Sequence, residues 1–395
     1  MQLNLSFQKS LIANSVTKVK TEQWDKAMQL YESGAFADAV RACINYIDPA
    51  IETKYANADK TEYYIPHGSI LVALKISETD VQISAPFLNI EQAKRVPILR
   101  QVAQLNFSPL TITEIVLDGD KLFFTFQCAL AIAEPYKIYE VLREICINAD
   151  NYDDEFISKF DAKHLNEPKI TPYTAAQNEQ AWNTVQQYIK EAFTVYDQLE
   201  NKRLTSYLWD VLVITILKID YFCAPQGLLR SEIEKTLIFL NSKEDYYQRL
   251  STGKEFLRKL QNTSPAELER SLYNIEIFIP YKFRTDLESV RNTLKYAFET
   301  AEKEIRAMDF IGATLTLEYG ILNLLYNNTV ENAIAERITQ AMESASEKPI
   351  QEAANLLFEA VKVIMTVDVL SAAVSTQKSI KVEKEKQSIF KKLFG

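Results

Sequence analysis

Glycine is scarce in this chain, with eight residues in 395, and prolines number only twelve. Many-stranded sandwiches spend glycine on their turns, so the shortage argues against that architecture and for long helices. Cysteine is as sparse. Cys43, Cys128, Cys146 and Cys223 are far apart in apolar settings, without metal-ligand spacing or the pattern of a disulfide framework. They read as buried thiols, which suits a reducing cytosol. Only His67 and His164 exist, so a histidine-based catalytic or zinc centre would need both rings, or one ring with carboxylates from elsewhere. His67, between Pro66 and Gly68, and His164, in a polar run, both read as surface residues.

Other absences narrow the function. Net charge is −9 and the body of the chain has no basic stripe, which excludes a general grip on nucleic acid. The most apolar run, Val211 to Leu217, is bracketed by Asp210 and Lys218 and falls far short of the roughly 20 residues of a membrane span. The N-terminal residues lack the basic and apolar regions of a secretory signal. No phosphate-binding, nucleophile-elbow or zincin motif occurs, and "STGKEF" lacks the early glycine and preceding strand of a phosphate loop, so it reads as a helix-to-helix contact. The acidic run Asp150 to Glu155 lacks the alternation and central glycine of a calcium loop and reads as a solvated helix end. No cofactor and no metal is implied.

The pattern that is present divides the chain. From Trp24 two helical stripes are broken at "ESGAF", and Phe36, Val40, Cys43 and Ile47 carry the second. From Tyr63 the period becomes two: Ile70, Val72, Leu74 and Ile76 share one strand face, and Val81, Ile83, Ala85 and Phe87 share another. A helix from Pro97 to Asn106 follows, since proline is tolerated in a first turn. "TITEIVL" and "KLFFTFQCAL" then form a hairpin about Asp118-Gly119. A helix from Pro135 turns Ile138, Val141, Leu142 and Ile145 inward and fades into "NADNYDDE". The order implies an α+β domain over residues 21–165, an antiparallel sheet with its helices on one face, preceded by an N-terminal arm at 1–20.

"ISAPFL", then "PILRQVAQLNF", then the "LDGDKLFF" hairpin and a closing helix resemble type III secretion chaperones and the related YbjN-type domains. The resemblance covers about residues 24–160. It implies a non-catalytic, usually dimeric domain whose apolar surface, with Phe87, holds a partner segment in extended form.

Residues 166–180 read as a linker, and helical periodicity then runs from 181 to 377, so the second half is an all-α bundle or solenoid. "IFIPYKF", Ile277 to Phe283, crowds apolar residues into a connector and reads as a cap on that bundle's core. The tail, 378–395, reverses the charge, with six lysines and two glutamates. On a helix Ile389 and Leu393, and Phe390 and Phe394, would meet on one face with Lys391 and Lys392 beside them. Such a hook suits a protein partner's groove, or a weak contact with an anionic membrane surface.

These features point to a non-catalytic adaptor or secretion-chaperone-like protein of the bacterial cytoplasm, with homodimerisation through the α+β domain as one mode. The alternatives are a structural or regulatory component of a larger assembly docked by its tail, and a hydrolase. The last would require a deep pocket holding two desolvated Asp or Glu side chains.

Overall fold

The computed structural model describes residues 6–12 and 20–366. It contains an antiparallel sheet with helices, followed by an array of helices, and the apolar residues separate into two cores. The first half runs α1 (Thr21–Glu32), α2 (Phe36–Ile47), α3 (Ala50–Tyr55), β1 (Glu62–His67), β2 (Ile70–Ile76), β3 (Asp80–Asn89), α4 (Arg95–Phe107), β4 (Glu114–Asp118), β5 (Lys121–Ala129), α5 (Pro135–Phe160) and β6 (Lys163–His164). The sheet order is β1-β2-β3-β5-β4, with β6 beside the end of β3, and each neighbouring pair is antiparallel.

Period-two alternation decides which side of the sheet is covered. Val72, Leu74, Val81, Ile83, Leu122 and Phe124 point inward and are buried, and α5 packs over β2, β3 and β5. Helices α1, α2 and α4 pack against α5, in the same layer. Helix α4 crosses over to carry the chain from β3 to β4, leaving room for β5 between them. Its residue Asn106 makes both hydrogen bonds of Ile115, accepting from its N–H at 2.8 Å and donating to its carbonyl at 2.9 Å, and so closes part of the free edge of β4.

The second half begins with β7 (Ile170–Pro172), which pairs with β8 (Tyr273–Ile275), so the expected linker is bound into the fold. Thr174 and Gln177 form a capping box that starts α6 (Ala175–Asn201). Then come α7 (Leu208–Cys223), α8 (Gly227–Leu240), α9 (Tyr246–Asn262), α10 (Pro265–Glu269), α11 (Leu287–Arg306), α12 (Phe310–Asn327), α13 (Asn332–Ala345) and α14 (Ile350–Thr366). "VLVITIL" lies in α7, apolar on nearly every side because α6, α9 and α12 surround it. "STGKEF" lies within α9, where Gly253 approaches Leu212 of α7 and Leu240 of α8, a helix-to-helix contact.

Each core borrows a segment from elsewhere in the chain. Phe7 packs in the helical core and stacks on Tyr221, with ring centroids 5.4 Å apart, so residues 6–12 belong spatially to the second half. Phe278 and Ile279 insert into the core of the first half. "IFIPYKF" therefore caps the α+β core, not the helical one: after β8 the chain runs alongside the turn at Gly68, whose N–H donates to the Glu276 carbonyl at 3.0 Å.

Helix α7 also carries Lys218, paired with Glu318 of α12 at 2.9 Å with both side chains buried. Breaking such a pair strands a desolvated charge, whereas replacing both members by apolar groups removes the problem. Glu318→Ala is expected to cost about 3–5 kcal/mol in urea unfolding. The double variant Lys218→Met with Glu318→Leu should recover most of that loss.

Candidate functional site

Helix α5 runs on for eleven residues beyond Ala149, and this extension builds the most chemically loaded region among the described residues. The buried stripe Ile138, Leu142, Ile145, Ala149 continues through Asp153 and Phe156 at the same spacing. Phe156 is anchored in the first core against Phe87 and Phe160. The acidic run is thus held on an inward face rather than being a solvated helix end, and Asp153 is only 3% exposed. Glu155 takes Lys159 of its own helix and Lys235 of α8 as ion partners, tying α5 to the second half.

His67 is completely buried, a correction to its reading as a surface residue. The cause is the segment after β8: Nδ1 of His67 accepts hydrogen bonds from the backbone N–H groups of Phe278 at 3.0 Å and Ile279 at 3.4 Å. That leaves the proton on Nε2, which has no hydrogen-bond partner and faces Oδ2 of Asp150 at 3.9 Å. Asp150 accepts from the Ser69 N–H at 3.2 Å and from the Tyr281 hydroxyl, whose ring lies 4.5 Å below the Arg230 guanidinium. Gly68 makes this approach feasible. Its φ is +53°, and a Cβ there would lie 2.0 Å from Oδ1 of Asp150.

A cavity of about 160 Å³ opens beside this cluster, lined by Ser69, Asp150, Asp153, Asp154, His164 and Tyr273 among others. Asp154 accepts from the Leu228 N–H at 3.2 Å, at the start of α8. Gly227, with φ of +59°, lets α8 come that close, because a Cβ there would meet Oδ2 of Asp154 at 1.9 Å. His164, brought in by β6, is partly buried and its Nδ1 lies 3.9 Å from Oδ2 of Asp153.

Burial dominates the electrostatics. It pushes the Asp153 carboxyl well above the usual range, and the charges of Asp154 and Asp150 add to the effect. Burial raises Asp154 as well, opposed by His164 and the Leu228 amide. Both imidazoles are lowered by burial, with nearby carboxylates pulling the other way. The Tyr273 and Tyr281 phenols are raised by the same desolvation.

The residues singled out from sequence fall elsewhere. Phe87, proposed to touch a partner, is buried at 2% exposure, 4.9 Å from the Phe124 ring. It shares the inward row of β3, so its surface is already used by the core. Ile389, Phe390, Lys391, Lys392, Leu393 and Phe394 lie outside the described residues. Sequence reasoning missed Asp150, Asp153, Asp154 and Tyr281 as a group. Phe156 and Phe160, continuing the helical spacing past the acidic run, were the available signal for the three aspartates. Tyr281 had none.

Comparison with known proteins finds no family model that matches the chain and no curated protein that matches it. Among the described residues no helix is long and apolar enough to cross a membrane.

The buried His67 makes stability depend on pH. A base whose pKa is lowered by folding holds fewer protons in the native than in the unfolded state, so its contribution is complete above about 6.5 and declines as the pH falls through that value. Against His67→Gln, which keeps an acceptor but does not titrate, the wild type is expected to lose at most about 1.4 kcal/mol per pH unit below pH 6.5. Urea unfolding across pH 5 to 8 measures the difference.

Proposed function

We propose that this protein is a non-catalytic protein-binding adaptor whose α+β domain lays a partner segment across the outer face of its sheet, with the helical half as scaffold. The single observation behind this reading is the apolar character of that face, where the side chains along its middle are only half-buried. Leu71, Pro86, Phe123 and Val116 form a half-buried apolar row on it, with Phe123 paired to Pro86 on one side and to Val116 on the other. Lys75, Gln82 and Gln127, farther along the strands, are polar and exposed. An apolar row beside polar positions suits an extended peptide with alternating side chains. Phe107, at the end of α4, is 89% exposed and adds apolar surface to the same domain. The resemblance to secretion chaperones and YbjN-type domains agrees with this use of a sheet.

A hydrolase is the second reading, favoured by one observation: Asp153 and Asp154 are desolvated in a shared cavity. Its size speaks against a substrate pocket, since about 160 Å³ is below the roughly 300–1,000 Å³ of typical small-molecule sites.

Replacing Phe123 with a photo-crosslinking phenylalanine in the full chain, expressed in its native host, tests the adaptor reading. A discrete protein adduct is expected at position 123 and not at Tyr296, 79% exposed on α11. Absence of an adduct at 123, or equal adducts at both positions, would overturn it.

A further inference from the structure

The junction cavity gathers three carboxyl groups with little positive charge beside them. Asp150, Asp153 and Asp154 line it, and the one permanently cationic lining residue, Arg270, is itself exposed. Asp150 is satisfied by the Ser69 amide and the Tyr281 hydroxyl. Asp153 is not. Its Oδ1 accepts from the Asp154 N–H at 2.6 Å, but Oδ2 accepts no hydrogen bond from any described group and turns toward His164 across 3.9 Å. The Ser69 hydroxyl lies beside it without closing a hydrogen bond, and its buried oxygen has no other partner. Asp153 is only 3% exposed, and its second oxygen faces the cavity and an imidazole, an arrangement that a cation in the cavity would satisfy.

We infer that Asp153, Asp154 and His164 form a binding site for a divalent first-row metal ion, Mn²⁺ or Zn²⁺, at the junction of the two halves. One ligand atom from each lies within 4.8 Å of the other two. Tetrahedral metal–ligand bonds of about 2.1 Å set ligand pairs roughly 3.4 Å apart. The 3.9 Å between Asp153 Oδ2 and His164 Nδ1 is close to that spacing, and binding would draw the three ligand atoms inward. The donor set selects the ion. Two carboxylates with an imidazole suit Mn²⁺ or Zn²⁺, whereas Ca²⁺ and Mg²⁺ favour oxygen ligands alone. The cavity leaves room for the ion and several waters, at about 30 Å³ each, to complete the coordination. All three ligands come from the first half, but Leu228 of α8 donates to Asp154, so the bound ion would also brace the contact between α5 and α8.

The full chain, stripped with chelator and dialysed, is titrated with MnCl₂ or ZnCl₂ by calorimetry. One equivalent is expected to bind and to raise Tm, with Ca²⁺ and Mg²⁺ at least roughly tenfold weaker. Asp153→Asn and His164→Gln should each lose at least about tenfold in affinity, and the exposed-site control Glu91→Gln none. Because the chain has only two histidines, the imidazole ¹⁵N spectrum of the unmodified protein gives a reading that does not depend on variants folding. Zn²⁺ should shift the His164 resonances and leave those of His67 in place. No saturable binding of either metal, unchanged affinity in both folded variants, equal affinity for Ca²⁺, or a His164 signal indifferent to Zn²⁺ would each overturn the assignment.

Discussion

The structure depends on one helix being buried twice. At 26 residues α5 is about 39 Å long, more than the sheet beneath it needs, and its second half is covered by residues from the helical part of the chain. A helix flanked on both sides has little solvent-facing surface for polar residues. The acidic run therefore enters the interior, where each carboxylate must find a donor. Ser69, Leu228 and Tyr281 supply donors to Asp150 and Asp154, all from outside the helix.

The two halves are consequently not separable at their sequence boundary. The first core is completed by Phe278 and Ile279, and the second by Phe7. His67 couples them most directly, since its ring accepts the backbone amides of the segment that delivers Phe278 and Ile279. Two buried N–H groups satisfied by one side chain make that histidine structural, and its only untaken polar atom points at a carboxylate. The outer face of the sheet, by contrast, is remote in character from this junction. It carries half-buried apolar residues in a row, so the regions proposed for a partner segment and for an ion are built from different elements.

How much was legible depends on the range of the interaction. Alternation in "GSILVALKIS" and "KLFFTFQCAL" is a local property, and it identified the inward rows because one buried face forces period two. The same alternation placed Phe87 beside Val81 and Ile83, in the core, at odds with assigning it to a partner. Helical spacing identified the second half as mainly helical, the stretch that carries α6 to α14. The acidic run misled because charge usually marks solvent. The compensating signal was Phe156 and Phe160, which only make sense on a helix still in contact with a core.

By itself the sequence determined the class of each half, an antiparallel sheet with helices and then helices alone, because backbone period and side-chain polarity act over a few residues. It also determined what the glycine shortage allows: long elements joined by few tight turns. Only the tertiary structure decided that Gly68 and Gly227 bring distant backbone against Asp150 and Asp154, that His67 lies in the dark, and that "IFIPYKF" completes the first core. Those outcomes rest on contacts between residues 70 to more than 200 apart in sequence, and no local pattern encodes which buried donor will meet which buried acceptor.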